Sequence, residues 1–144
     1  MTVEAPVEHV MPRRDADSEP FWAAVERHSL EVPQCRDCKQ LRWFPSRLCP
    51  GCWSDAADWK PLDGSGTVYS WSTVRRAPSA SFRDEVPYII GLVDLAPNVR
   101  MFTRILCDRP EQVEVGAAVK VEFQNREGGL VLPCFRVVGT EVAA

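Results

Sequence analysis

Alternating apolar and polar residues in the second half of the chain predict a series of β-strands. In residues 67–74, valine and serine alternate with tyrosine, tryptophan and threonine, and this period of two is typical of a half-buried strand. Short apolar segments bounded by turn residues repeat the signal further along the chain. The predicted strands comprise residues 67–74, 88–95, 99–106, 119–124 and 130–138.

The connections between these strands predict a barrel. Residues 96–98 form a tight turn, and Gly128 and Gly129 supply the positive φ required between the last two strands. Five strands with one longer connection, at residues 107–118, predict a small Greek-key barrel of the oligonucleotide/oligosaccharide-binding (OB) type. Pro133 cannot donate a backbone hydrogen bond, so the last strand must have an edge or a bulge there.

The N-terminal part of the chain has a different pattern. Residues 1–17 contain few large apolar groups and no charge periodicity, which predicts a disordered tail. Residues 19–29 predict a short helix with Ser18 as its cap. Phe21 and Trp22 lie on one face of that helix, where they suit either the core or a surface that docks on another subunit.

Four cysteines predict a metal site directly after the helix. Cys35 and Cys38 form one Cys-x-x-Cys pair, and Cys49 and Cys52 form a second pair ten residues later. This spacing lets four thiolates converge on one tetrahedral ion, with each pair at a hairpin tip. We predict one Zn²⁺ in a ribbon of residues 31–60. A four-sulfur tetrahedron also suits iron, as in rubredoxin, and two metal-free dithiols are the remaining interpretation.

The residues that follow each cysteine pair are unusual for such a ribbon. Knuckles favour glycine there, because the backbone turns left-handed. Lys39 and Trp53 hold those places here. A strained residue costs about 1–3 kcal/mol, whereas structural zinc contributes about 10–16 kcal/mol in isolated finger peptides. The prediction of a metal site therefore stands.

A turn-rich segment at residues 63–66 separates the ribbon from the predicted strands. Residues 31–45 predict a short β-hairpin around the first cysteine pair. The sequence therefore divides into a tail (1–17), a helix with a zinc ribbon (18–62) and an OB barrel (63–140). The predicted fold class is mainly β.

Composition narrows the class of protein. Apolar residues make up 45% of the chain and charged residues 26%, which is ordinary for a globular protein. No apolar run approaches the roughly 18 residues needed to cross a bilayer. The N-terminus lacks a basic start followed by an apolar core, so we expect no signal peptide. The six cysteines then indicate a reducing compartment, and we predict a cytoplasmic protein.

The charge balance argues against a nucleic-acid partner. The net charge is −3, and there is no basic run to neutralise phosphates. An OB face carrying Tyr69, Trp71 and Tyr88 would nevertheless stack unpaired bases. A module that binds single-stranded nucleic acid is therefore kept as an alternative.

The sequence offers little catalytic apparatus. The two histidines, His9 and His28, lie in the predicted tail and on the predicted helix, and neither suits a general base. A four-cysteine site lacks the open coordination position of catalytic zinc. Asp84 and Glu85 are expected on a solvated face. We predict that the chain is not catalytic by itself.

Short motifs after the cysteines resemble a known family. They are Gly-x-Gly-Thr-Val-Tyr-Ser at 64–70, Arg-Ala-Pro at 76–78, Val-Pro-Tyr at 86–88 and Leu-Pro-x-Phe-Arg at 132–136. In this order they resemble the domain of unknown function thirty-five family, which consists of acyl-CoA-associated OB-fold proteins with a rubredoxin-like zinc ribbon. The resemblance covers about residues 18–138 and assigns the metal to the four cysteines of the two pairs.

The resemblance implies a role beside a larger enzyme. Members are typically small partners of thiolase-superfamily proteins, including lipid-transfer-type thiolases. The complexes make or break carbon–carbon bonds next to a CoA thioester, as thiolases, aldolases or acyltransferases. The thiolase-like subunit carries the catalytic residues, while the small subunit supports assembly and CoA binding. A stand-alone acyl-CoA carrier would share the same fold.

Two sets of residues are candidates for these contacts. In the loop of residues 75–86, Arg75 and Arg76 would pair with a CoA phosphate, and Phe82 would cover its apolar arm. Aromatic residues are also concentrated in the first 60 residues, a region too thin to bury them all. The predicted contacts with the thiolase-like subunit are Phe21, Trp22, Trp43, Phe44 and Trp53.

Overall fold

The computed structural model describes residues 10–138, so residues 1–9 of the predicted tail and residues 139–140 of the predicted barrel region lie outside it. Within residues 10–138 the fold contains one α-helix, a two-stranded sheet and a closed five-stranded barrel. Among the described residues, no helix has both the length and the apolar character needed to span a membrane. The predicted fold class is confirmed.

Helix α1 spans Glu19–Glu26 and ends earlier than the sequence predicts. His28 adopts a left-handed φ of 59°, and its N–H donates to the carbonyl of Val25. The N–H of Ser29 donates to the carbonyl of Ala24, which completes a Schellman-type ending. The predicted cap is also altered, because Ser18 exchanges hydrogen bonds with Asp15 and makes no capping bond to the helix.

The two-stranded sheet joins segments that lie far apart in the chain. Strand β1 (Leu30–Cys35) pairs antiparallel with β2 (Ala57–Leu62) in continuous register. The predicted hairpin within residues 31–45 is reduced to a single bridge between Gln34 and Leu41. The segment after Cys35 instead forms the first knuckle, so the true partner of β1 comes after both cysteine pairs.

The barrel has the strand order β3-β4-β5-β7-β6, which is the OB topology. All five predicted strands form, with bounds shifted by at most two residues. They are β3 (Ser65–Val74), β4 (Tyr88–Ala96), β5 (Val99–Leu106), β6 (Ala118–Asn125) and β7 (Val131–Val137).

One hydrophobic core serves the helix, the ribbon and the barrel. Alternate residues of β4 and β5 point inward, and Val93 of β4 and Phe135 of β7 are fully buried at the centre. In β3 the predicted alternation is not seen, because Val68 is its one buried residue. Phe21 and Val25 of α1 and Leu30 of β1 belong to the same buried cluster. The helix therefore fixes the ribbon against the barrel by burying apolar surface on both.

The seam between β5 and β7 is short. These strands pair in parallel at two positions, Ile105 with Phe135 and Leu106 with Arg136. Pro133 pairs only with β6, so the predicted edge is confirmed. The hydroxyl of Thr103 donates to the carbonyl of Pro133 at 3.1 Å and replaces the missing ladder contact. Before this point the two strands separate and leave an opening in the barrel wall.

Candidate functional site

The four cysteine sulfurs of the ribbon converge on one point. Their Sγ atoms all lie within 4.8 Å of one another. The separation is 3.5 Å between Cys35 and Cys52 and 3.6 Å between Cys38 and Cys49. A zinc tetrahedron with Zn–S bonds of about 2.3 Å has sulfur–sulfur edges of about 3.8 Å. The arrangement fits a closed four-sulfur metal site.

The two knuckles have the same backbone geometry. The N–H of Lys39 donates to the carbonyl of Cys35, and the N–H of Trp53 donates to the carbonyl of Cys49. Lys39 and Trp53 have φ values of 65° and 66°. The left-handed turn predicted for both positions is therefore confirmed.

Backbone N–H groups stabilise two of the four sulfurs as thiolates. The N–H of Cys38 is the main cause that lowers the pKa of Cys35 to about 6, against the opposing effect of burial. The N–H of Gly51 lowers the pKa of Cys49 in the same way. The N–H of Ser54 also lowers the pKa of Cys52, but neighbouring sulfurs and burial outweigh it and raise that pKa to about 12. Because thiolates are the metal ligands, the lowered pKa values of Cys35 and Cys49 favour cation binding, whereas Cys38 and Cys52, whose pKa values are raised, must each lose a proton to bind.

The left-handed residues give a stability prediction. Lys39→Gly should stabilise the zinc-loaded protein by about 1 kcal/mol, because glycine adopts positive φ without a Cβ penalty. Urea unfolding monitored by circular dichroism measures the change. The control is Gln40→Gly, since Gln40 has no positive φ. Glycine there should destabilise the protein, because it adds backbone entropy to the unfolded chain and removes a side chain that lies beside Gly51. Equal destabilisation by both substitutions would contradict the strain argument.

The predicted interface aromatics separate into two groups. Phe21 is 4% exposed and lies in the core, with Trp22 and Trp43 packed around it at ring-centroid distances of 5.2 and 4.6 Å. Phe44 and Trp53 are 73% and 77% exposed on the ribbon. In this conformation Phe21 offers no surface to a partner, whereas Phe44 and Trp53 offer almost all of theirs.

The three residues predicted to contact CoA do not meet in one pocket. Arg75 and Arg76 are exposed, and Arg75 lines a shallow cleft of about 430 Å³ beside Cys107 and Asp108. Phe82 is half-buried and lines a different cleft, with its ring 5.9 Å from that of Tyr88. The loop therefore presents its cations and its aromatic ring to different parts of the surface.

An ion cluster around Glu85 was not predicted from the sequence. The Oε1 atom of Glu85 accepts hydrogen bonds from Arg104 at 2.7 Å and from Arg126 at 2.6 Å. All three side chains are only about one fifth exposed, so the expectation of a solvated Glu85 is wrong. The arginines lie 19 and 41 residues further along the chain, and no local pattern reveals such a contact.

This ion cluster adjoins a cleft of about 280 Å³ at the opening between β5 and β7. The guanidinium of Arg104 also lies over the ring of Tyr88, with 4.1 Å between Cζ and the ring centroid. Most of the cleft wall is apolar. Its side chains include Phe21, Trp22, Trp43, Phe82, Met101, Phe102, Leu130 and Leu132, together with Arg104 and Arg126.

Two family models cover consecutive parts of the chain. Residues 22–58 match the ChsH2 rubredoxin-like zinc ribbon domain, and residues 59–124 match the ChsH2 C-terminal OB-fold domain. The solved structure titled Ltp2-ChsH2(DUF35) aldolase superimposes with a TM-score of 0.80 at 30% identity. That match covers 88% of this chain and 98% of the other.

Curated relatives carry related descriptions. A DUF35 domain-containing scaffold protein of Methanocaldococcus jannaschii is 34% identical, over 72% of this chain and 74% of the relative. The benzoylsuccinyl-CoA thiolase subunit BbsA of Geobacter metallireducens is 28% identical, over 76% of this chain and 84% of the relative. A probable enoyl-CoA hydratase alpha subunit of Thermomonospora curvata is 34% identical over 81% of this chain, which spans only 36% of that subunit.

Proposed function

Because the chain belongs to the DUF35 family, with a ChsH2-type zinc ribbon and OB-fold, we propose that it is the small partner subunit of a thiolase-like enzyme. The complex would make or break carbon–carbon bonds of acyl-CoA substrates, as an aldolase, thiolase or acyltransferase. The observation that carries this proposal is the similarity to a chain of the Ltp2-ChsH2(DUF35) aldolase over 98% of that chain. The thiolase subunit BbsA supports it.

The subunit is proposed to be non-catalytic. His28 is the one histidine among the described residues, and its ring stacks on Phe123 with 5.2 Å between centroids. An imidazole held against an apolar ring is poorly placed to activate a nucleophile. We assign the reacting groups to the thiolase-like partner.

We propose that Cys35, Cys38, Cys49 and Cys52 hold one Zn²⁺ with a structural role. The all-sulfur donor set and the sulfur separations fit zinc, and the ribbon model that matches this segment is a zinc ribbon. The ion would hold the two knuckles together. The outward-facing aromatic residues of the ribbon would then have fixed positions.

CoA binding is proposed to use the exposed arginines of the loop. Arg75 and Arg76 carry positive charge at the surface, where phosphate groups of CoA would accept charge-assisted hydrogen bonds. The loop is anchored at its far end by the bonds of Glu85 to Arg104 and Arg126.

A double substitution tests the CoA proposal. Arg75→Ala/Arg76→Ala should raise the KM of the assembled complex for its acyl-CoA by about tenfold or more, since two charge-assisted hydrogen bonds are lost. Steady-state kinetics of the reconstituted complex measure the effect. Arg13→Ala/Lys60→Ala removes two exposed cations elsewhere and should leave KM unchanged. An unchanged KM in the first variant would remove both arginines from the CoA site.

The nucleic-acid alternative is less well supported by the surface. Tyr69 and Trp71 are exposed on β3, but the guanidinium of Arg100 lies 3.3 Å from the centroid of the Tyr69 ring. Arg100 is in turn paired with Asp94 at 2.7 Å. One face of the Tyr69 ring is therefore already covered, which leaves less aromatic surface for stacking bases.

Capture from the native cells tests the proposed partner. Affinity-tagged chain should copurify with a protein that mass spectrometry identifies as a thiolase-superfamily member, at near-stoichiometric yield. The absorbance at 260 nm should show no nucleic acid. Recovery of nucleic acid without a thiolase-like protein would favour the alternative module, and recovery of the chain alone with bound acyl-CoA would favour a stand-alone carrier.

A further inference from the structure

The cleft lies at the seam between β5 and β7. Pro133 has no N–H to give to β5, and the two strands pair in a ladder only at Ile105 with Phe135 and Leu106 with Arg136. The hydroxyl of Thr103 donates to the carbonyl of Pro133, so that oxygen has a partner although the ladder does not reach it. The opening therefore follows from the strand pairing of the barrel.

The walls of this cleft include residues of the helix, the ribbon and the barrel strands. The α1 side chains Phe21 and Trp22 and the ribbon residue Trp43 form the outer wall, and Met101 and Leu132 of the two strands form the inner wall. A dry cavity of about 150 Å³ holds one benzene ring. The volume of about 280 Å³ therefore suits a ligand with one ring or a short chain and a small head group.

The polar end of the cleft is lined by two positively charged side chains. Arg104 and Arg126 both pair with Glu85, whereas Asp84 and Glu127 lie beside Arg126 in a neighbouring cleft. Both hydrogen bonds reach Oε1, while the buried Oε2 atom has no hydrogen-bond partner among the described residues. Burial raises the pKa of Glu85, but the two arginines outweigh it and hold that pKa below its ordinary value. The cluster therefore stays charged at neutral pH.

We propose that this cleft binds a small amphipathic carboxylate. Its ring or chain would lie between the tryptophans and the opened strands, and its carboxylate would pair with the guanidinium of Arg126 or Arg104. Guanidinium groups bind carboxylates through paired N–H donors, and an apolar wall strengthens such a pair by excluding water. The inference rests on the cleft and its charges, and it holds whether or not the chain has a thiolase-like partner.

The probe for this site is 4-phenylbutyrate, compared with its uncharged amide. Titration of the full chain, followed by tryptophan fluorescence and by saturation-transfer NMR, should show binding of the carboxylate at sub-millimolar concentration. The amide should bind about tenfold more weakly, since one charge-assisted pair is lost. Equal affinity for both probes, or binding of neither at 5 mM, would overturn the proposal.

Two substitutions should change carboxylate binding in opposite directions, whereas a folding defect would weaken binding in both. Arg126→Gln should weaken carboxylate binding about tenfold and leave the amide unaffected. Glu85→Gln keeps an oxygen for the arginines but removes the competing charge, so carboxylate binding should strengthen several-fold. Arg83→Gln, which changes an exposed arginine outside the cleft, should leave the affinity for both probes unchanged. Weaker carboxylate binding in Glu85→Gln would show that the cluster has only a structural role.

Discussion

Cys52→Ser is expected to release the metal and unfold the ribbon while the barrel persists. Cys52 supplies one of four converging sulfurs, and small metal ribbons draw most of their folding free energy from the ion. The barrel closes its own sheet and keeps Val93 and Phe135 at its centre. Elemental analysis should fall from about one zinc per chain to near zero. Amide NMR signals should collapse in residues 36–56 and persist in residues 88–106.

A matched cysteine provides the control for this experiment. Cys107 is half-buried and lies outside the four-sulfur cluster, so Cys107→Ser should keep the metal and every ribbon signal. Full zinc content in Cys52→Ser would contradict the assigned ligand set. A red, iron-loaded wild-type protein would leave the ligands in place but change the ion. A metal-free wild type with an intact ribbon would remove the structural role.

Trp53→Ala should weaken binding to the thiolase-like partner by about 30- to 1,000-fold, the range for truncation of an aromatic anchor. Trp53 is 77% exposed and Phe44, also on the ribbon, is 73% exposed, and aromatic residues are enriched at protein interfaces. The melting temperature of the free subunit should not change. Isothermal titration calorimetry with the purified partner measures the affinity.

Phe21→Ala is the contrasting variant, because Phe21 lies in the core at 4% exposure. It should cost about 3–5 kcal/mol of stability through the cavity it leaves. Trp22 and Trp43 pack on Phe21 and are half-buried, so their truncation should affect both stability and affinity. If Trp53→Ala lowers the melting temperature and leaves partner affinity intact, the interface lies elsewhere on the molecule.

Short-range patterns predicted most of the fold. Strand β3 and the glycine turn before β7 depend on neighbouring residues, and both form where the sequence placed them. The predicted alternation of burial in β3 is wrong, because Val68 is its one buried residue and the register with β4 shifts between Val68 and Ser70. The left-handed backbone of Lys39 and Trp53 follows in the same way from the spacing of the cysteines. Features that depend only on neighbouring residues can therefore be predicted from the sequence.

Contacts between distant segments were not predictable in this way. The pairing of β1 with β2 depends on how the two knuckles between them fold back. The residues of the two strands do not by themselves indicate that they pair. Glu85 looked like a surface residue because its partners, Arg104 and Arg126, come from other strands and turns. The split between buried Phe21 and exposed Trp53 likewise depends on how α1 packs against the barrel.

Sedimentation velocity of this chain and a purified thiolase-like protein, alone and mixed at micromolar concentration, would show whether the two form a stable complex. We expect the mixture to give one faster boundary containing both chains. Trp53→Ala should abolish that boundary at the same concentration. Two independent boundaries in the wild-type mixture, at zinc contents of about one per chain, would contradict the proposed complex.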